Sequence, residues 1–248
     1  MARSTAEPSS TPAADGAPTA LARDLLVACK RGDPTDPYRA ALADVTRADL
    51  REVRTDRRTG MAFWLNCYNA GTQLLLAERP DLYERPLRFV RFFRAPAVTV
   101  AGTALSLDRI EHGILRGGRS KYGLGYLPKL RVTEFERRYR LDDCDPRVHF
   151  ALNCGAESCP AIRAYEPARV DEQLDLATRH YLDATVAYDP DAAVVRVPRV
   201  CLWFRGDFGG GSGLREFLRA YDAVPADATP TIRYRAWDWS RAAGAFAE

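Results

Sequence analysis

The chain has 248 residues, of which 46% are hydrophobic and 28% are charged. That length suits one sizeable domain or two small ones, and the composition is typical of soluble globular proteins. The net charge is only +3 and there are six cysteines, which gives no global electrostatic support for nucleic-acid binding and excludes a disulfide scaffold.

The sequence contains no N-terminal apolar core of a signal peptide and no apolar run long enough to cross a membrane. We therefore expect a cytoplasmic protein with no membrane partner. Residues 1–19 are rich in Ala, Pro, Ser and Thr and are expected to be disordered, because they cannot bury enough apolar surface to offset the entropy of ordering. Residues 20–248 are predicted to form a single domain, with a helical region at 20–80 and a mixed core at 81–248.

The strongest predicted helix runs from residue 58 to residue 77, with an apolar stripe at helical spacing that includes Phe63 and Leu74. Asn66 and Asn69 lie beside this stripe on a helix that is otherwise suited to burial. Such amides can satisfy the backbone of a nearby loop. Alternatively, one of them orients a catalytic imidazole or donates a hydrogen bond to an oxyanion.

Residues 96–106 are predicted to form a hairpin, after which Ser106 caps a helix. On that helix His112 lies at the edge of the apolar stripe. Glu111 is turned away from it by about 100°, so the two side chains are not expected to form a dyad with each other. The following residues, 117–128, are rich in Gly and Tyr and are predicted to form a mobile loop, which is a candidate flap.

The central motif, Arg147-Val-His-Phe-Ala-Leu-Asn-Cys-Gly-Ala-Glu-Ser-Cys-Pro160, holds one of the three histidines and two of the six cysteines. Apolar and polar residues alternate from Val148 to Asn153, which predicts a β-strand. Pro160 is typical of a first helical position. Cys159 would then be the N-cap residue, where the positive end of the helix lowers the pKa of a thiol.

Residues 167–185 are predicted to form an amphipathic helix with His180 on the surface near its C-terminus. Residues 194–197 and 231–234 are predicted strands, and residues 214–221 a helix. Residues 203–211 lack the strand–GxGxxG–helix context of a phosphate-binding loop, so they are predicted to form a plain loop. Trp237 and Trp239 are expected to fill the core.

The order of these elements predicts the fold class. Helices come first, and strands and helices are mixed afterwards, which indicates an α+β fold with N-terminal helices packed on a small antiparallel sheet.

Four separated motifs resemble, in the same order, a family called domain of unknown function 547. The resemblance covers roughly residues 55–240 and implies membership of the family rather than a particular activity. The motifs are Phe63-Trp-Leu-Asn-Cys-Tyr-Asn-Ala70, Ser106-Leu-Asp-Arg-Ile-Glu-His-Gly-Ile-Leu-Arg116, the central motif, and Trp239-Ser240.

Nucleophilic catalysis is the first chemistry that these residues suggest. A cysteine at a helix N-terminus near a histidine is the arrangement that yields a thiolate at neutral pH. Cys159 would be the nucleophile and His149 the base, with His112 as the alternative base. Asn66, Asn69 or Glu111 would orient the base, and the backbone N–H groups of residues 158–161 could hold an oxyanion. The logic is similar to papain-like and transglutaminase-like enzymes by analogy of roles alone.

Two other interpretations remain open. His112, His149, Cys154 and Cys159 offer the ligand types of a tetrahedral zinc site, although the CxxxxC spacing is loose for one. Alternatively, the cysteines are structural, either as a disulfide or as buried thiols. In a reducing cytoplasm such a disulfide would be labile or a redox switch.

We predict a cysteine-dependent hydrolase or acyltransferase that acts on an amide or peptide-like substrate without a cofactor. Cys154 would be a supporting or resolving thiol, and Arg116, Arg147 and Asn153 would bind the substrate. The alternative is a non-enzymatic interaction module whose cysteines are structural. An enzyme should leave Cys159 accessible beneath residues 117–128, whereas a scaffold should bury it.

Overall fold

The computed structural model describes residues 17–84, 89–242 and 244–247 of the chain. In these ranges the α-helices are, in chain order, α1 (Pro18–Arg31), α2 (Asp36–Asp44), α3 (Arg51–Thr55), α4 (Arg57–Glu78), α5 (Pro80–Glu84), α6 (Phe89–Arg94), α7 (Glu134–Tyr139), α8 (Val170–Thr185), α9 (Val200–Trp203) and α10 (Gly210–Ala220). The strands are β1 (Pro96–Val100), β2 (Thr103–Ser106), β3 (Ala187–Asp189), β4 (Val194–Val197) and β5 (Thr231–Tyr234). A π-helix spans Arg109–Leu115, and 3₁₀ helices span Pro146–Phe150, Pro167–Arg169 and Arg205–Phe208.

Helix α4 is the centre of the larger hydrophobic core, as its apolar stripe predicts. It begins where the Asp56 side chain accepts a hydrogen bond from the backbone N–H of Thr59 at 2.7 Å, which satisfies one donor of the first turn. Residues 60–72 are buried on every face of the helix. Helices α1 and α3 and strand β1 contact it, so α4 is enclosed by the rest of the N-terminal half.

The α+β class is confirmed, but the single antiparallel sheet is wrong. Strands β1 and β2 form a two-stranded antiparallel hairpin. Strands β3, β4 and β5 form a separate sheet, in which β3 and β4 are antiparallel and β4 and β5 are parallel. The parallel pair is possible because α9 and α10 lie between β4 and β5 in the chain and provide the crossover that parallel strands need.

A second hydrophobic core lies under α8, α10 and the three-stranded sheet. Val195, Val197, Leu214 and Leu218 belong to it and are fully buried. Phe150 also belongs to this second core, whereas Val148, two residues earlier, belongs to the core around α4. The central motif therefore lies at the boundary between the two cores.

The central motif is not the predicted strand. Residues 146–150 form a 3₁₀ helix, because Pro146 fits its first position and the Asp145 side chain accepts a hydrogen bond from the backbone N–H of Arg147 at 3.0 Å. Alternation of polar and apolar residues predicts a strand when one face is exposed. Here Val148, His149 and Phe150 are all buried, so the alternation does not mark two faces.

Pro160 does not begin a helix, and Cys159 is therefore not an N-cap residue. The chain from residue 160 to residue 166 is irregular, and its backbone pairs instead with the C-terminal segment, where Ile162 bridges Phe246. Residues 203–211 also differ from the predicted loop, since they form the end of α9, a 3₁₀ helix and the start of α10.

Of the predicted N-terminal tail, residues 1–16 lie outside the described residues, and α1 already begins at Pro18. None of the helices in the described ranges is long and apolar enough to span a membrane.

Candidate functional site

A cleft of about 430 Å³ opens where the two hydrophobic cores meet. Its lining suits a binding site, because concave, mostly apolar clefts with a few converging polar groups are the usual form of small-molecule sites. Its ionisable walls come from Asp108, Glu111, His112, Lys121, His149, Cys154 and Cys159. Its aromatic walls come from Tyr68, Phe93, Tyr122, Trp203, Phe204, Trp237 and Trp239.

Three tryptophans form one aromatic wall of the cleft. The ring centroids of Trp203 and Trp237 are 5.2 Å apart, and those of Trp203 and Trp239 are 5.4 Å apart. Trp237 is half-buried and Trp239 is 40% exposed. The prediction that both fill the core is therefore wrong for Trp239, whereas Trp237 packs against the second core and also lines the cleft.

The π-helix brings Asp108, Glu111 and His112 to the same side of the cleft. Glu111 and His112 were predicted to turn away from each other, but both line the cleft. Glu111 Oε1 lies 3.7 Å from His112 Nδ1, and Asp108 Oδ1 lies 3.6 Å from His112 Nε2. Lys121 pairs with Asp108 at 2.5 Å, which adds a cation to this wall.

His112 is held as a neutral imidazole. Arg116 Nη1 lies 2.9 Å from His112 Nδ1, and because a guanidinium only donates hydrogen bonds, Nδ1 accepts and the ring proton is on Nε2. Burial, and then the charge of Arg116, lower the pKa of His112 well below its usual value. His112 therefore offers the cleft a fixed N–H donor rather than a base.

Glu111 is a carboxylic acid that titrates near neutral pH. Burial raises its pKa to about 7, with a further contribution from the charge of Asp108, although Arg116 and a hydrogen bond from Tyr68 act in the opposite direction. The Tyr68 hydroxyl donates to Glu111 Oε2 at 3.2 Å. An acid with this pKa can both release and take up a proton near pH 7, which is the property of a general acid–base group.

His149 is oriented by Asp207. Its Nε2 lies 2.9 Å from Asp207 Oδ2, and since an ionised carboxylate only accepts hydrogen bonds, Nε2 carries the proton. The imidazole is stacked on Phe204, with ring centroids 4.4 Å apart and planes 3° apart. In the part of the chain that the structure describes, Nδ1 of His149 has no hydrogen-bond partner, so it is the ring atom available for proton transfer.

Asp207 is the partner that sequence reasoning missed. The predicted orienting groups were Asn66, Asn69 and Glu111, but Asp207 lies 58 residues beyond His149. The only signal was an acidic residue between two phenylalanines, Phe204 and Phe208, in a segment otherwise rich in glycine.

Arg116 is fully buried and bound to Asp207 through two hydrogen bonds, at 2.6 and 3.1 Å. Although burial alone would raise the pKa of Asp207, the hydrogen bonds from His149 and Arg116 hold it well below its usual range. Arg116 also lies over the Phe204 ring at 4.2 Å. With its donors engaged in this way, Arg116 positions other side chains and does not reach a substrate carboxylate as predicted.

The loop of residues 117–128 is tied to the segment that carries Asp207. The backbone N–H of Gly206 donates to the carbonyl of Leu124 at 2.7 Å, and Arg119 Nη1 lies 3.2 Å from Asp207 Oδ1. A Cβ atom on Gly206 would lie 2.6 Å from the backbone of Gly125, so this approach requires glycine. Tyr122, within the loop, lines the cleft.

Cys154 and Cys159 lie side by side in the cleft, with their Sγ atoms 2.9 Å apart. Both are half-buried free cysteines. Burial opposes ionisation of Cys159, but hydrogen bonds from the Cys154 thiol and from backbone N–H groups of the loop, including that of Cys154 at 3.2 Å, lower its pKa below the ordinary value. The pKa of Cys154 is raised well above its ordinary value by its hydrogen bond to Cys159 and by burial.

Two of the predicted oxyanion donors are already used by the backbone. Ser158 N–H donates to the carbonyl of Asp238 at 3.3 Å, and Cys159 N–H donates to that of Ala156 at 2.9 Å. Residue 160 is a proline and has no N–H. Neither imidazole hydrogen-bonds Cys159 within the described ranges.

Three asparagines hold the loop that carries the cysteines. Asn66 exchanges two hydrogen bonds with the backbone of Tyr165, at 2.8 and 2.9 Å. Asn69 donates to the Ala151 carbonyl at 3.1 Å and accepts from the Asn153 N–H at 3.0 Å. The Asn153 side chain in turn donates to the Pro160 carbonyl and accepts from the Gly155 N–H, at 2.7 and 2.8 Å. These amides satisfy loop backbone and do not contact an imidazole.

Arg147 and His180 lie away from the cleft. Arg147 is bound by Asp145, Asp171 and Asp175 at 2.6, 2.9 and 2.9 Å, so its guanidinium joins the central motif to α8 rather than binding a substrate. His180 is exposed and is hydrogen-bonded to Arg163 at 2.8 Å.

The four residues of the predicted zinc site are not brought together as a ligand set. Among the described residues, the donor atoms that lie within 4.8 Å of one another belong to Cys144, His149 and Asp207. Both oxygens of Asp207 accept hydrogen bonds from Arg116, and His149 Nε2 presents a proton. Burial also raises the pKa of Cys144. This group does not fit a cation, because both carboxylate oxygens of Asp207 are engaged by Arg116, whose guanidinium already neutralises the carboxylate.

Residues 53–182, just over half of the chain, match the model of a protein family described as "Protein of unknown function, DUF547". The match includes the motif of α4, the π-helix and the central motif, whereas Asp207 and the three tryptophans lie beyond it. No curated protein and no solved structure matches the chain.

Proposed function

The chain belongs to the DUF547 family of proteins of unknown function, and we propose that it is a cysteine-dependent hydrolase or acyltransferase acting on an amide or peptide-like substrate. The observation that carries this proposal is the environment of Cys159. Its sulfur accepts hydrogen bonds from a thiol and from loop N–H groups, in the cleft that also contains Glu111 and His149.

Cys159 is the nucleophile. A thiolate is the reactive form of cysteine, and hydrogen-bond donors directed at the sulfur favour it. In a helix-capping cysteine the helix dipole would supply this effect, whereas here the loop from Cys154 to Cys159 supplies it. Asn69 and Asn153 contribute to the reaction indirectly. Their side chains hold the loop whose N–H groups point at the Cys159 sulfur.

The reaction begins when the Cys159 sulfur attacks the substrate carbonyl carbon. An S–C bond forms and the C–N bond breaks, and the departing amine takes a proton from the Glu111 carboxyl. Water or an acceptor amine then attacks the thioester, and its proton returns to the Glu111 carboxylate, so that Cys159 leaves as a thiolate. Glu111 suits both steps because its pKa is about 7.

The two histidines act at different points. The Nε2–H of His112, fixed by Arg116, is the donor that would stabilise the oxyanion formed on the substrate. His149, fixed by Asp207, keeps Nδ1 free to accept the proton of the Cys159 thiol before the attack and to pass it to solvent, whereas Glu111 takes the proton of the attacking water. This assignment replaces the asparagines with Asp207 as the group that orients the base.

The substrate is expected to carry an apolar or aromatic group. Trp203, Phe204 and Trp237 form much of the cleft wall, and aromatic walls bind flat or apolar groups well. The alternative interaction module required a buried Cys159. The half-buried sulfur, in a cleft lined by Tyr122 and Leu124 of the loop, favours the enzyme.

The test is the transfer of an acyl group to Cys159. Native protein would be mixed with p-nitrophenyl esters of acetic, benzoic and phenylacetic acid, and p-nitrophenolate release would be followed with peptide mass mapping of the acylated residue. We expect acylation at Cys159, its loss in Cys159→Ser, and an unchanged rate in the matched control Cys29→Ser, because Cys29 lies outside the cleft and burial raises the pKa of its thiol to about 11. Acylation spread over other residues, or unchanged in Cys159→Ser, would rule out the assignment.

A further inference from the structure

We propose that Cys154 and Cys159 form a thiol–disulfide exchange pair that reduces small organic disulfides and is itself oxidised to an intramolecular disulfide. This activity goes beyond acyl transfer, because it uses both sulfurs of the cleft and needs no carbonyl substrate. It depends on the juxtaposition of the two thiols, whether or not Cys159 also forms thioesters.

The two sulfurs are already close to bonding distance. Their Sγ atoms are 2.9 Å apart, and a disulfide bond is about 2.05 Å long, so they must approach by less than about 1 Å. The loop between them is compact, since Cys159 N–H donates to the Ala156 carbonyl and Gly155 has a φ of 88°. The first residues of this loop are held by Asn153, whose side chain accepts a hydrogen bond from the N–H of Gly155.

The pair is asymmetric, as exchange chemistry requires. Cys159 receives the hydrogen bonds, including that of the Cys154 N–H at 3.2 Å, and is the thiolate that attacks first. Cys154 is the protonated partner, because its hydrogen bond to Cys159, burial and the nearby charge of Glu111 disfavour its ionisation. An attacking thiolate beside a protonated resolving thiol is the arrangement used in disulfide exchange.

The reaction balances in two steps. The Cys159 thiolate attacks one sulfur of R–S–S–R′, forming a mixed disulfide and releasing R′S⁻. Cys154 then gives its proton to the Glu111 carboxylate and attacks Cys159 Sγ, which forms the Cys154–Cys159 bond and expels RS⁻. The protein loses two electrons and the substrate disulfide gains them. The proton of Cys154 passes from Glu111 to solvent or to a product thiolate.

The cleft selects a small disulfide with an aromatic or apolar group. Both sulfurs share the cleft with Trp203, Phe204 and Trp237. The cleft has a volume of about 430 Å³, which accommodates a small aromatic disulfide.

The remaining thiols are poor competitors. Cys67 and Cys201 are fully buried. Burial raises the pKa of Cys29 to about 11 and also raises that of Cys144. A fast reaction with a disulfide reagent is therefore expected only at the Cys154–Cys159 pair.

The experiment uses 5,5′-dithiobis(2-nitrobenzoate) as the disulfide, with release of thionitrobenzoate followed in time and the products identified by mass mapping. For the native chain we expect two equivalents in the fast phase, no retained nitrobenzoate, and a Cys154–Cys159 disulfide. Cys154→Ser should release one equivalent and keep the adduct on Cys159. Cys159→Ser should lose the fast phase, and Cys29→Ser should behave like the native chain. Circular dichroism checks that each variant is folded.

A native chain that releases one equivalent and keeps the adduct would overturn the proposal, and so would an unchanged fast phase in Cys159→Ser. Failure of exchange is distinguishable from failure of the proposed function, because Cys154→Ser should still be acylated at Cys159 by p-nitrophenyl esters. A chain that is acylated at Cys159 but forms no internal disulfide would refute exchange alone.

Discussion

Replacing Glu111 with glutamine should stabilise the chain at alkaline pH and leave its stability almost unchanged at acidic pH. Burial disfavours the charged carboxylate and raises the pKa of Glu111 from its ordinary 4.5 to about 7. The folded chain therefore holds this proton more tightly than the unfolded chain does. As the pH rises from 4.5 to 7, the unfolded chain loses the proton first, and the free energy of unfolding decreases.

The size of the effect follows from that shift. Each pKa unit corresponds to about 1.4 kcal/mol, so ionisation of Glu111 lowers the free energy of unfolding by about 3 kcal/mol above pH 7. Glutamine is never charged and can still accept the Tyr68 hydroxyl. Glu111→Gln should thus be about 3 kcal/mol more stable than the native chain at pH 8, which corresponds to a Tm increase of roughly 6–12 °C for a chain of this length.

Urea denaturation of both chains at pH 4.5, 6 and 8 measures this difference. The matched control is Glu136→Gln. Although burial alone would raise the pKa of Glu136, hydrogen bonds from Lys129 and Thr133 lower it. That substitution should destabilise the chain at pH 8, and its effect should shrink as the pH falls. A Glu111→Gln effect of equal size at every pH would refute the argument, since ionisation could not then be its cause.

Other consequences concern the buried cluster, the loop and the reaction. Asp207→Asn leaves Arg116 buried without a counter-charge and should lower the free energy of unfolding in urea by about 3–5 kcal/mol; an effect below about 1 kcal/mol would contradict this. Asn69→Ala removes two hydrogen bonds to the loop and should cost about 1–3 kcal/mol, and it should raise the pH midpoint of Cys159 alkylation. The kcat/KM of acyl transfer should fall above about pH 7, and a fall of the same size in Glu111→Gln would exclude Glu111 as the proton donor.

The sequence predicts elements whose signals are local. The apolar stripe identifies α4, and the short apolar runs of β4 and β5 have the predicted bounds. Glycine and the hairpin pattern likewise indicate the turn between β1 and β2. In these cases the residues that determine the structure are within a few positions of one another.

Other features depend on contacts that no local pattern reports. The 3₁₀ helix at 146–150 resembles a strand in sequence, because burial on all sides removes the contrast between faces. The π-helix differs from an α-helix by the number of residues in each turn, and the sequence from Arg109 to Leu115 carries an ordinary helical stripe. His149 and Asp207 meet only when the two cores assemble, so no spacing links them.

The amides of α4 are an intermediate case. Their polarity on a buried helix marked Asn66 and Asn69 as important, and both interpretations assigned them a partner. In the structure these amides donate hydrogen bonds to the backbone carbonyls of Tyr165 and Ala151. This choice could not be made from sequence, because an amide satisfies a backbone group and an imidazole equally well.

The central claim is that Cys159 is the reactive thiolate of the cleft. The most direct test measures how alkylation by iodoacetamide depends on pH at each cysteine of the native protein. Peptide mass mapping identifies the alkylated residues. We predict that Cys159 reacts fastest, with a midpoint below the ~8.5 of a free thiol, and that Cys29 and Cys144 react with midpoints above it because burial raises their pKa. A Cys159 midpoint at or above that of Cys29, or alkylation of Cys159 only after unfolding, would contradict the claim.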